Sequence, residues 1–290
     1  MTADAGLSLV IGADGLIGSA LYRSLIARGQ QVIGTTRRTG STNLLLLDLA
    51  QPEDAWPQLP ANIRTAYLCA GIAHIEYCRL NPEISRQVNC TGSIALARRL
   101  IAQGTRVVYL SSNQVFDGHK PMRQADEPVC PLTEYGKQKA TTERALLELG
   151  ERTSIVRLTK VLGPQPALLM GWKQALEAGQ AITPFYDMHM APVPLELVVE
   201  AMIRIGQQNI AGITQISGSQ DITYTQAAHH LARRLGCDES LIKPISARQA
   251  GLHPDATPAH TTMDGATLRA LGLHPPAPWQ TLDHSMNLPG

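Results

Sequence analysis

The chain has 290 residues, 44% of them apolar and 17% charged, with a formal net charge of +1. A chain of this length and composition can bury a substantial core in one large domain or two unequal lobes, and it does not have the makeup of a disordered protein. Its near-neutral balance excludes the broad basic field that draws nucleic acid or a membrane surface, so neither is an expected partner and an anionic ligand must be held by local donors.

Leu7 to Ile11 is a short apolar strand that runs straight into Gly12-Ala13-Asp14-Gly15-Leu16-Ile17-Gly18. An amphipathic helix follows through Leu21, Leu25 and Ile26 and stops at Gly29. Strand, glycine turn and helix together form a dinucleotide setting: Gly12, Gly15 and Gly18 admit a pyrophosphate to the backbone, and the helix start offers free N–H groups. The second strand, Gln31 to Gly34, leads into Thr35-Thr36-Arg37-Arg38. A carboxylate there would bind the ribose hydroxyls of NAD; Thr36, Arg37 and Arg38 suit a 2′-phosphate better, so NADP(H) is favoured over NAD(H). The alternative is that the two arginines solvate a loop.

Asn43 to Leu47 is the third strand, with Asp48 and Leu49 placed to reach an adenine edge. Trp56, in the connection from Pro52 to Pro60, reads as packing. The fourth strand, Thr65 to Leu68, closes on Cys69-Ala70-Gly71, where Ala70 and Gly71 would let the backbone lie against a cofactor. His74 and Glu76 fall in a loop near that cleft. A helix from Pro82 to about Ala102 contains Asn89, whose poor helix propensity hints at a hydrogen-bonding task around Lys139.

Val107 to Leu110 reads as a buried parallel strand and is followed by Ser111-Ser112-Asn113-Gln114. After a proline-containing loop, a helix carries Tyr135-Gly136-Lys137-Gln138-Lys139. Tyr135 and Lys139 are one turn apart on one face, about 6 Å along the axis. A cation beside a phenol favours the phenolate. Tyr135 is thus placed to exchange a proton with a carbonyl or hydroxyl oxygen that Ser112 holds by a second hydrogen bond, which suits carbonyl reduction or alcohol oxidation if something carries the hydride.

Thr153 to Leu158 is the sixth strand, leading to Thr159-Lys160. Beyond it the pattern predicts helices over 167–178, 195–205, 225–235 and 266–271, a strand over 213–216, and an irregular loop over 183–192. The alternation implies an α/β fold, a doubly wound parallel sheet of the Rossmann type with right-handed crossovers. The expected division is a dinucleotide-binding domain over 1–163 and a smaller, partly interleaved substrate lobe over 164–290, of which about 195–217 returns to the first domain. Five cysteines without a C-x-x-C pair argue against a disulfide framework or structural zinc, and no metal is expected. No apolar run approaches the ~18 residues of a membrane span, and the stretch from Met1 to Gly6 lacks a basic n-region, so a cytoplasmic protein is expected.

Taken together, Gly12-x-x-Gly15-x-x-Gly18, Asp48-Leu49, Ala70-Gly71, Val88-Asn89, the stretch Ser111 to Gly118, and Tyr135-Gly136-x-x-Lys139 with Glu143 resemble the extended short-chain dehydrogenase/reductase superfamily. The tail, with Thr262-Met263-Asp264 and Trp279, is similar to its dTDP-4-dehydrorhamnose reductase-like branch, which acts on nucleotide sugars. The resemblance implies that Ser112 and Tyr135 bind the reacting oxygen, that Lys139 holds the nicotinamide ribose and lowers the tyrosine pKa, and that Asn89 supports Lys139 through water. It also implies that the backbone at Gly15, Leu16 and Ile17 takes the pyrophosphate. Dehydratases of the superfamily carry an Asp-Glu pair where this chain has Asn113 and Gln114, so dehydration is not expected. Lys160 stands where the reductases commonly have an aromatic residue, and with His74 it is a candidate substrate contact. The expected activity is NAD(P)H-dependent reduction of a keto group on a nucleotide-linked sugar. The rivals are a 4-epimerase with tightly bound NAD, and a non-catalytic regulatory subunit like the relatives that bind methionine adenosyltransferase. Pairing of two helices across a dimer axis is common in the superfamily, so a homodimer is among the expected forms.

Overall fold

A computed structural model of the chain describes residues 6–288; residues 1–5, which include most of the amino end read above, lie outside the described residues. In chain order the elements are β1 (Leu7–Ile11), α1 (Leu16–Ala27), β2 (Val32–Thr36), β3 (Leu45–Leu46), β4 (Ile63–Leu68), α2 (Ile75–Leu80), α3 (Pro82–Arg86) and α4 (Ser93–Ala102). Next come β5 (Arg106–Ser112), α5 (Glu134–Leu147), β6 (Thr153–Leu158), β7 (Lys160–Leu162), α6 (Ala167–Glu177), β8 (His189–Met190), β9 (Pro192–Pro194) and α7 (Leu195–Gln207). The chain finishes with β10 (Gly212–Ile216), β11 (Ile222–Thr223), α8 (Tyr224–Leu235), α9 (Ala266–Ala270) and α10 (Pro278–Ser285).

Seven strands form one sheet in the order β10-β6-β5-β4-β1-β2-β3. β1 runs parallel to β2 and β4, β2 to β3, and β4 to β5. The chain works outward from β1 to one side through β3, then crosses back and works outward through β4 to the other. Their carboxyl ends therefore open a crevice between β1 and β4, the place where such sheets bind nucleotides. The doubly wound fold expected from the alternation of apolar runs and helices is the one found.

Two compact units divide the chain. The first holds residues up to Val115, Pro128–Arg157 and Val198–Thr214; the second holds Phe116–Glu127, Leu158–Leu197 and Gln215–Gly290. The segment Phe116–Glu127, which the sequence reading kept with the dinucleotide domain, is tied into the second unit by its polar groups. Met122 N donates to Thr262 O, and Asp264 N to Arg123 O, both at 2.9 Å.

In the first unit Leu9, Ile11, Leu68, Leu96, Leu100, Tyr109, Leu146 and Ile155 pack in one core. Strands buried on both faces read as unbroken apolar runs for this reason. Trp56 joins the core and donates its indole N–H to Asp48 O at 2.9 Å, the packing role read for it. Arg157 and Glu143 form a buried pair between β6 and α5, with the guanidinium Nη2 2.7 Å from Oε2 and side chains 2% and 3% exposed. The second unit has its own core around Leu169, Trp172, Tyr224, Leu231 and Leu282. There β8 pairs antiparallel with β11, inside and beyond the stretch read as an irregular loop.

One expected helix is really three pieces. Between α3 and α4 the backbone widens into a π-helical turn at Gln87–Gly92. Such turns are rare and concentrate at functional sites, and Asn89 sits in the middle of this one.

Candidate functional site

The crevice between β1 and β4 is a cleft of about 230 Å³ lined by Gly12, Asp14, Gly15, Arg37, Arg38, Asp48, Leu49, Ala70, Gly71 and neighbours. Its floor is made possible by Gly12, which has φ +79°; a Cβ there would lie 2.9 Å from the backbone of Ala70. No side chain caps α1, whose cap position is Gly15 and whose first turn has no acidic residue. Gly15 N donates to Gly12 O at 3.1 Å, closing the turn, and the N–H groups that follow at the start of α1 are the helix-end donors that lend dipole support to an anion. Gly18 is buried in α1's first turns, facing the protein rather than the cleft. A glycine-walled cleft at a helix start without a side-chain cap fits a dinucleotide pyrophosphate.

At the far end, Asp48 accepts a hydrogen bond from Ala50 N at 2.9 Å while Leu49 is buried beside it. Thr36 is buried at the end of β2, and Arg37 and Arg38 are exposed beyond it. Thr36 donates its hydroxyl to Asp14 Oδ2 at 2.9 Å, and Arg38 pairs with the same oxygen at 3.3 Å. Asp14 was not singled out from the sequence, because a carboxylate inside a glycine turn reads as ordinary turn chemistry.

Past Gly71 the cleft meets the candidate reacting groups. β5 carries Ser112 to its carboxyl end, where the residue is buried. α5 starts where Thr133 accepts a hydrogen bond from Gly136 N at 3.0 Å. Gly136 then lets the helix press against the turn after β5: a Cβ there would be 2.0 Å from the carbonyl oxygen of Gln114. That close approach brings Tyr135 beside Ser112, whose hydroxyl donates to Asn113 Oδ1 at 3.3 Å and accepts from Gln114 N at 3.2 Å. Lys139 is buried one turn on, donates to Leu110 O at 2.7 Å, and lies 4.5 Å from the Tyr109 ring centroid and 5.8 Å from that of Tyr135. The structure thus brings Ser112, Tyr135 and Lys139 together.

The electrostatics differ from the sequence expectation. Burial, joined by the Cys78 thiol, pushes the Tyr135 phenol above its ordinary value, and the nearby Ser112 hydroxyl pulls only part of the way back. Lys139 does not make the tyrosine a phenolate here, because desolvation of a phenolate outweighs a cation beyond the ring. Burial likewise lowers the Lys139 ammonium from 10.5 to about 8, against the raising effect of Cys90, Glu143, Cys78 and Cys69. A protonated phenol beside a hydroxyl is a proton donor to an oxygen that gains charge, which is what carbonyl reduction requires.

Asn89 has a local task, though not directly on Lys139. Its Oδ1 accepts from Ile72 N at 2.8 Å, and its Nδ2 donates to Ile72 O at 3.0 Å and to Gln138 Oε1 at 2.7 Å. Gln138 in turn donates to Ser85 Oγ at 2.7 Å. This buried amide pair joins the π-helical turn, the cleft wall after Gly71, and the helix of Tyr135 and Lys139. A Cβ on Gly71 would be 3.2 Å from Asn89 Oδ1 and 3.7 Å from Lys139 Nζ, so the small residue keeps room beside both. Gln138 was missed in the sequence because an amide between two lysines reads as solvated; only its burial, at 1% exposure, reveals it.

Each of the two candidate substrate contacts has its own setting. His74 is exposed and caps α2, its Nδ1 accepting from Tyr77 N at 3.1 Å. Lys160 begins β7 in the second unit, opposite Pro192, with its ammonium lowered by desolvation. Among the described residues no group of three or more His, Cys, Asp and Glu could hold a metal ion, and no helix is long and apolar enough to cross a membrane.

A 3-2-1-4-5-6 strand order, a glycine-walled cleft and the Ser112, Tyr135 and Lys139 cluster beside it define an NAD(P)-dependent oxidoreductase of the extended short-chain dehydrogenase/reductase type. Within that class the chain belongs to the RmlD substrate binding domain family, which it matches over residues 8–286. It is 28% identical to dTDP-4-dehydrorhamnose reductase of Streptomyces griseus, covering 94% of this chain and 90% of that protein. It is also 25% identical to methionine adenosyltransferase 2 subunit beta of Xenopus tropicalis, covering 94% and 84% respectively. The fold is shared with the crystal structure of dTDP-4-dehydrorhamnose reductase from Bacillus anthracis in complex with NADP, at a TM-score of 0.82 and 17% identity over 96% of this chain and 98% of that one.

Proposed function

We propose that this protein reduces a keto group on a nucleotide-linked sugar, with NADP(H) as its preferred cofactor. The observation that carries this reading is the neutral Tyr135 phenol held against Ser112, with Lys139 one turn away, at the end of a dinucleotide cleft. A bound nicotinamide would supply the hydride. The protein's part is to hold the carbonyl oxygen with the Ser112 hydroxyl and to donate the Tyr135 proton to it as charge develops. Lys139 anchors the ribose side of the cleft, Gly12 and the start of α1 take the pyrophosphate, and Thr36, Arg37 and Arg38 take the 2′-phosphate. Lys160, exposed at the start of β7, contributes to binding an anionic part of the substrate.

The reductase of Streptomyces griseus supports the nucleotide-sugar substrate. Asn113 and Gln114, in place of two carboxylates, leave no acid and base for dehydration at that turn. A panel of keto-sugar nucleotides followed by NADPH absorbance tests the reading. Tyr135→Phe should lower turnover by about a hundredfold or more while NADPH binding changes little; unchanged turnover overturns the assigned roles. Cofactor that copurifies as tightly held NAD⁺ without net redox turnover would instead indicate a 4-epimerase. The similarity to a methionine adenosyltransferase subunit favours a second reading, a chain that serves as a protein-bound subunit. A stoichiometric protein partner with no NADPH oxidation on any keto sugar would establish that one.

A further inference from the structure

Asp14 closes a small ring of contacts at the adenosine end of the cleft. Arg38 N donates to Thr36 Oγ1 at 3.1 Å, Thr36 Oγ1 donates to Asp14 Oδ2 at 2.9 Å, and the Arg38 Nε returns to that same Oδ2 at 3.3 Å. One carboxylate oxygen thus fixes both the backbone and the side chain of Arg38. The ion pair is a surface one, with side chains 76% and 25% exposed, so it adds little to folding. Its consequence is geometric. The ion pair is made through Nε and not through a terminal nitrogen, and the terminal nitrogens of a guanidinium are part of the fork that grips a phosphate.

We propose that Asp14 is a specificity-determining positioning residue, which favours a cofactor bearing a 2′-phosphate by holding Arg38 ready for it. The proposal rests on the NADP(H) reading above. Two effects of the carboxylate oppose each other. Its charge repels a phosphate, whereas its clamp removes the cost of ordering a long arginine on binding. Because Arg38 and Thr36 already neutralise and engage the carboxylate, the clamp is the larger effect.

The test compares equilibrium dissociation constants of 2′,5′-ADP and 5′-AMP by titration calorimetry at fixed ionic strength, for the natural protein and for Asp14→Ala, Asp14→Asn, Arg38→Ala and Asp14→Ala/Arg38→Ala. The natural protein should prefer 2′,5′-ADP. Asp14→Ala should reduce that preference about fivefold, and Asp14→Asn, which keeps an acceptor for Thr36 but loses the charge, should fall between. In the Arg38→Ala background Asp14→Ala should change the preference no further. A preference that is unchanged or stronger in Asp14→Ala, or that drops equally without Arg38, overturns the role of Asp14 and leaves the NADP(H) reading standing. A natural protein with no preference between the two ligands overturns both.

Discussion

Lys139 is a charge that the fold holds against its own stability, and Lys139→Met measures by how much. Burial lowers the ammonium from 10.5 to about 8, so below pH 8 the folded protein carries a charge it would rather lose. The unfolded chain binds more protons than the native one between these two values, and stability therefore rises with pH across that window. Each pKa unit is worth about 1.4 kcal/mol, so between pH 7 and pH 9.5 the natural protein should gain about 2 kcal/mol relative to Lys139→Met. The variant also leaves the Leu110 carbonyl without its donor, a cost of about 1–3 kcal/mol, but that loss does not depend on pH. Urea denaturation of the cofactor-free proteins at the two pH values gives the difference of differences directly. A stability gap between natural protein and variant that stays flat from pH 7 to pH 9.5 would refute the claim that Lys139 is held in a dry site.

Two further substitutions probe how the site is assembled. Gly136→Ala puts a methyl group 2.0 Å from a backbone oxygen that cannot yield, so α5 must back away from the turn after β5; turnover should fall about a hundredfold from the misplaced phenol, and NADPH binding measured by fluorescence should weaken with it because Lys139 rides on the same helix. Glu143→Ala strands the Arg157 guanidinium, 2% exposed, without its carboxylate; the urea midpoint should report a loss of about 3–5 kcal/mol, and a loss under ~1 kcal/mol would mean the pair is not buried as described.

The sequence was most legible where chemistry and period coincide. β1, β5 and the glycine turn could be read because buried parallel strands are near-continuous apolar runs, and because a glycine at a strand end has few other uses. Tyr135 and Lys139 could be placed on one helical face from spacing alone. Their electrostatic relation could not, since the pKa of a phenol depends on how much protein covers it, and nothing in a Tyr-x-x-x-Lys spacing reports coverage. The π-helical turn was hidden for a related reason: its six residues, Gln87–Gly92, have no distinctive propensity, and only the misfit of Asn89 hinted at them. Asp14 and Gln138 were missed because each looks polar and local in the chain and acquires its meaning from a partner 22 or 49 residues away. α10 was missed because a helix beginning at Pro278 lies in a tail whose prolines suggested irregular chain.

The way the chain is shared between its two units limits how the protein can be cut. The first unit is completed only by Val198–Thr214, which delivers most of β10, the strand that covers the β6 edge of the sheet. A fragment ending near Gly163 would carry the whole glycine turn and the Tyr135 helix yet leave β6 as a bare, apolar border inviting intermolecular pairing. Expression of the nucleotide half alone is therefore a route to aggregates rather than to a minimal binding module, and a ribosome must pass β10 before that sheet can be sealed.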